Sequence, residues 1–169
     1  MPDRRKRQVF AAGHHRKFLV VVDETPEVES ALVYAANRAR RTDGSVALLY
    51  VIETEEAAQW IGVRDIFLEE QTNKAKAVFR LARRKLKNYG CEEGAVEDVI
   101  REGVKAEQIV KLIEEDQDIA VLVLGASIDP KGPGPLVSSL AVGKLAGNFP
   151  IPITIVPGTL SAEEIEGLA

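Results

Sequence analysis

The chain has 169 residues, 46% apolar and 28% charged, with a net charge of −4; this suits one domain with a buried core and excludes disordered and collagen-like chains. No apolar run approaches the roughly 20 residues of a membrane helix, and the N-terminus lacks the apolar stretch of a secretory signal, so a cytoplasmic protein with no membrane span is expected. Cys91 is the single cysteine, which excludes an internal disulfide and fits a reducing compartment.

Arg4, Arg5, Lys6, Arg7, Arg16 and Lys17 crowd the start of the chain against Asp3 alone, leaving the remainder distinctly acidic. Residues 1–16 are read as a basic, solvated and disordered tail, and nucleic acid is not an expected partner. His14 and His15 are adjacent, badly placed to chelate from one helix face, and no cluster of carboxylates or cysteines stands near them, so no metal site is expected.

"KFLVVVDE" (17–24) is a continuous apolar run rich in valine, as a strand buried on both faces requires, and it ends at Asp23. Thr25 as N-cap and Pro26 at the first helical position then open a helix that closes with basic residues and Gly44. "SVALLYVIE" (45–53) is a second buried strand. Residues 55–89 carry helical signals with a break near Gly62, and Ala75, Val78, Phe79, Ala82 and Leu86 recur at helical spacing among lysines and arginines. That basic face suits a binding surface but reads first as a solvated helix surface.

"AVEDVIREG" (95–103) alternates apolar and polar residues, as a strand near a sheet edge does. A helix follows, with Val104, Ile109, Leu112 and Ile113 on one stripe. "DIAVLVLGA" (118–126) is the most apolar strand and is expected to be central; 138–148 looks helical, and "PITIVPG", bracketed by Pro152 and Pro157, suits an edge strand. Strands alternating with helices predict an α/β fold with a parallel sheet, helices on both faces and right-handed crossovers. Ligands bind such sheets beyond the carboxyl ends of the strands, where the strand order reverses. Asp23, Val51 and the loop after the fourth strand are the places to examine.

That loop, "GASIDPKGPGPLVSS" (125–139), exceeds the usual strand-to-helix connection of about 2 to 6 residues. It matches neither common phosphate loop. For the GxxxxGK[ST] pattern, Ser138 stands at the first glycine and Leu145 at the hydroxyl; for GxGxxG from Gly132, the last position is Val137. What remains is Gly125 ending a strand and Ser138 and Ser139 beginning a helix, whose free N–H groups attract anions. The same geometry serves if Ser138 only caps its own helix, and both readings stay open.

The segments "KFLVVVDETPEVESAL", "VALLYVIE", "REGVKAEQIVKLIEEDQDIAVLVLGAS" and "FPIPITIVP", in this order, resemble a universal stress protein. The resemblance implies a single-domain five-stranded parallel sheet, Rossmann-like and similar to the adenine nucleotide alpha hydrolases, over residues 17–158, with 159–169 a C-terminal tail. It also implies a homodimer through the last strand (Ile153 to Val156) and ATP or another adenine nucleotide at the strand ends; because no Ser/His/Asp set, paired carboxylates or metal cluster is placed to activate a nucleophile, the nucleotide is expected to be regulatory, without dedicated catalysis. Laid on this chain, the family motif G-x2-G-x9-G-[S/T] falls on Gly125, Ile128, Ser138 and Ser139. Gly125, Ser127, Ser138 and Ser139 are thus the expected phosphate-side residues, and Asp23 and Val51 the nucleoside-side ones. Ile128 stands where a glycine would let backbone approach phosphate, so its side chain is expected to obstruct the site, with Lys131 a nearby cation. An altered motif also allows a dimeric module that binds no nucleotide and engages a protein partner; a nucleotidyl or phosphoryl transferase is the remaining alternative.

Overall fold

The computed structural model describes residues 5–54 and 61–169. The elements are β1 (Lys17–Val21), α1 (Val28–Arg41), β2 (Ser45–Ile52), α2 (Ile61–Asn88), β3 (Val96–Glu102), α3 (Lys105–Glu115), β4 (Ile119–Ala126), β5 (Ile153–Pro157) and α4 (Ala162–Leu168), with a π turn at Val137–Val142 and a 3-10 turn at Ala146–Asn148. All strand pairs are parallel and the order is β3-β2-β1-β4-β5. The expected α/β sheet, five strands and helix-covered faces are all present.

Successive strand residues point to opposite faces, and the core divides accordingly. Phe18, Val20 and Val22 join α1 and α2 residues in one layer, while Leu19, Val21 and Val51 join α3 and the π turn in the other. Full burial of each such aliphatic side chain contributes roughly 1.5–3 kcal/mol, so the continuous apolar runs dictate which strands lie inside. β3 and β5 are the edges, as their patterning predicts. The most apolar strand, β4, lies inside the sheet between β1 and β5, but the central position belongs to β1.

Three local expectations change. Glu27, not Thr25, precedes α1; the Thr25 N–H and hydroxyl donate instead to Asp23 Oδ1. After α1, Asp43 takes the left-handed conformation (φ 53°), while Gly44 keeps a Cβ away from the Arg16 carbonyl oxygen. For the long helix, α2 is described from Ile61 onward, and residues 55–60, where the expected break near Gly62 would begin, lie outside the described residues. The helix expected over 138–148 divides into the π turn and the 3-10 turn, because Gly143 adopts an extended conformation (φ −73°, ψ −171°) between them.

Near both ends of the described residues, side chains tie the backbone to the domain. Arg7 donates to the carbonyls of Ile113, Asp116 and Ile119. Within 159–169, Ser161 and Glu164 form a reciprocal capping box that starts α4. Ile165 and Ala169 then bury in the α1-side layer, and Arg41 donates to the carbonyls of Glu166 and Ala169. No helix among the described residues is long and apolar enough to cross a membrane.

Candidate functional site

The chain passes from β1 to β2 on one side and later returns to β4 on the other, so the strand order reverses between β1 and β4. The adjacent connectors diverge at such a point and leave a crevice at the carboxyl ends. A cleft of about 60 Å³ lies there, bordered by Asp23, Thr25, Glu27, Lys105, Gly125 and the Pro133–Val137 segment. Beside it is an open depression of about 390 Å³ whose polar lining is Glu27, Ser127, Asp129, Lys131 and Ser138.

Two of the six residues expected from sequence meet in the cleft: Asp23 and Gly125. Asp23 turns back on its own connector, accepting the Thr25 amide at 2.8 Å. Gly125 has a packing reason to be glycine, since a Cβ there would run into the Glu27 carbonyl oxygen at the start of α1. Ser127 and Ser138 line the neighbouring depression, and Ser139 borders neither space; its Oγ lies 3.5 Å from the Leu136 carbonyl. Val51 is 7% exposed and belongs to the α3-side core layer rather than to the cleft wall.

The connector after β4 is closed by its own backbone. Ser127 N–H donates to the Pro133 carbonyl at 2.9 Å and Gly132 N–H to the Asp129 carbonyl at 3.0 Å. Asp129 N–H donates to Ser127 Oγ, and Lys131 N–H to the Asp129 carboxylate. Ser138 is not the first residue of its turn: its N–H already donates to the Gly134 carbonyl at 3.1 Å. Pro133 and Pro135 have no N–H at all. These donors are therefore occupied before any anion arrives, and Asp23, Glu27 and Asp129 outnumber Lys105 and Lys131 around the two spaces.

Ile128 does not obstruct the cleft. It is 70% exposed, and its Cγ2 faces Gly158, where chain leaving β5 passes close to the Ala126 carbonyl. What narrows the crevice is the Pro133–Pro135 segment lying against Glu27, with Gly132 (φ 133°) and Gly134 (φ 105°) taking conformations that suit glycine. Glu27 and Lys105 are cleft residues missed by the sequence reading. Lys105 opens α3 just past the carboxyl end of β3, and the strand-end rule applied to every strand would have flagged it.

Burial, with the Glu24 and Asp23 charges adding to it, pushes the Tyr50 phenol up, so it stays protonated near neutrality. Among the described residues no group of three or more His, Cys, Asp or Glu could hold a metal ion.

These features define a doubly wound α/β domain with its cleft at the switch point. The sequence profile of the Universal stress protein family matches residues 14–157, and the chain belongs to that family. Universal stress protein UspA from Lactobacillus plantarum has a similar structure, with a TM-score of 0.66 at 17% identity, over 84% of this chain and 97% of that one. A universal stress protein from Archaeoglobus fulgidus in complex with dAMP superposes with a TM-score of 0.59 at 16% identity, covering 85% of this chain and 98% of that one. Another universal stress protein, in complex with cAMP, has a TM-score of 0.58 at 16% identity, covering 84% and 97%. At these identities the likeness is one of fold. No curated protein matches the chain.

Proposed function

We propose that this chain is a cytoplasmic regulatory protein, without dedicated catalysis, that takes an adenine nucleotide in the crevice between β1 and β4. The carrying observation is that Asp23 and Gly125 border one cleft at the point where the strand order reverses. The cAMP and dAMP complexes of two structurally similar family members support the choice of ligand. Ligand sites usually measure about 300–1,000 Å³, against about 60 Å³ here, so a nucleotide enters when the Pro133–Pro135 segment lifts from Glu27. Three carboxylates facing two lysines make each added phosphate costly, and a monophosphate suits the site better than ATP.

Calorimetric titration with AMP and ATP tests this. AMP is expected to bind at least as tightly as ATP, and Asp23→Ala to lose that binding. Absence of heat with either nucleotide, in the wild type and in a Pro133→Gly variant with a loosened segment, would overturn it. The filled cleft favours a second reading in that event: a nucleotide-free module that engages a protein partner as a homodimer. β5 offers the surface for that dimer, as an edge strand with Ile155 41% exposed.

A further inference from the structure

We infer that the outer face of α2 docks a short acidic segment of a protein partner. Asn73, Lys76, Arg80, Arg83 and Lys87 recur at steps of three and four residues, which places them on one stripe of the helix. From Lys74 to Lys87 the helix carries seven cations and no acid, in a chain whose net charge is −4. Part of this charge is answered internally: Lys74 pairs with Glu24, Lys85 with Glu29 and Arg83 with Asp98. Among the described residues Lys76, Arg80, Arg84 and Lys87 have no ion-pair partner.

The stripe borders an open groove of about 590 Å³ between α2 and β3, with Asn73, Lys76, Arg80, Arg83 and Asp98 at its sides and Phe79 beneath. One side is already rigid. Arg83 Nε is 2.9 Å from Asp98 Oδ1, and its Nη2 donates to the Val96 carbonyl at 3.0 Å, so this arginine needs no ordering when a partner arrives.

Charge alone would admit any polyanion, but the extent of the stripe selects among them. At 1.5 Å per residue, Lys76 to Lys87 spans about 16 Å. Carboxylates bound it at both ends and along β3: Glu69 and Glu70 precede it on α2, Glu92 and Glu93 follow the helix, and Asp98 lies on β3. A nucleic acid duplex is charged along its whole length and would run onto these carboxylates. An extended peptide advances about 3.3 Å per residue, so a run of about five acidic residues ends before it meets them. The stripe also exposes no aromatic ring for base stacking, because Phe79 is only 4% exposed.

The test is fluorescence anisotropy of a labelled five-residue oligoglutamate peptide with the full chain, alongside a labelled 15-base-pair DNA duplex at the same ionic strength. The peptide is expected to bind more tightly than the duplex. Lys76→Glu with Arg80→Glu should weaken peptide binding by about tenfold or more, since two attractions become repulsions. Lys111→Glu, on α3 at the other face of the sheet, should leave it unchanged. Arg80→Gln gives a milder loss without charge reversal, and circular dichroism confirms that each variant is folded. Peptide binding that survives the double reversal in folded protein, equal loss in Lys111→Glu, no peptide binding by the wild type, or tighter binding of the duplex would each overturn the inference.

Discussion

The two ends of the sheet are held together in opposite ways. At the amino ends of the strands, side chains far apart in sequence meet: Lys17 Nζ lies 2.7 Å from Asp116 and 2.9 Å from Glu97, His14 Nδ1 lies 2.7 Å from Asp118, and Arg7 ties the leader to the end of α3. Around the cleft at the carboxyl ends the short bonds are local, from Thr25 to Asp23, Asp129 to Ser127, and Lys131 to Asp129, each two residues apart, and the distant pairs nearby, Lys74 with Glu24 and Arg64 with Glu102, are longer, at 3.7 and 3.3 Å, and exposed. A local turn can rearrange without disturbing distant elements, whereas a long-range cluster loosens only when several elements separate. The carboxyl end is therefore the one able to admit a ligand, and the amino end the one that keeps the sheet in register meanwhile.

The largest expected effect lies within the carboxyl end itself. Gly125→Ala puts a Cβ into the Glu27 carbonyl, a backbone atom that moves only with α1, so a loss of about 3 kcal/mol or more is expected in urea unfolding. Gly132→Ala meets no atom within 4 Å and bears only the strain of φ 133°, which is of order 1–2 kcal/mol. Equal losses would mean that the connector, rather than the contact between β4 and α1, limits stability at this end.

Asp23 and Ser139 offer a smaller contrast. Asp23→Ala removes the acceptor of both Thr25 donors and should cost about 1 kcal/mol. Ser139→Ala removes a single long contact and should change stability by less than about 0.5 kcal/mol. Thermal unfolding of the two variants checks this order, and a larger loss for Ser139→Ala would show that the serine holds the π turn in place.

The same contrast explains what the sequence disclosed. β1, β2 and β4 were legible because burial on both faces demands unbroken apolar runs, and β3 because an edge tolerates polar residues on one side. Asp23 and Gly125 were legible because the strand-end rule points at the residues where β1 and β4 finish. The partners of Gly125 were not, since Glu27 belongs to another connector and only the folded sheet brings it to β4. Ile128 was misread for a similar reason: its type forbids a glycine conformation, but the direction of its side chain depends on Gly158 after β5. α4 carries a capping signal at Ser161 and Glu164, yet its anchor on Arg41 exists only once α1 is in place.

The amino end supplies the smallest effect, and that effect carries a pH signature. The hydrogen bond with His14, against some opposing burial, holds the Asp118 carboxyl below its usual range, with the His15 amide and Lys17 adding to the depression. A carboxylate with a lowered folded pKa contributes stability that is complete above the unfolded value, about 3.9. That contribution falls away as pH drops through the lower folded value. Both side chains are partly exposed, 44% for His14 and 24% for Asp118, which limits the pair to about 1 kcal/mol or less. Asp118→Asn should therefore unfold slightly more easily than the wild type near neutral pH, with the difference shrinking as the solution is acidified below about pH 4. A difference that stayed constant with pH would assign the loss to the neutral hydrogen bond, and the amino end would then be held by packing and backbone bonds rather than by charge.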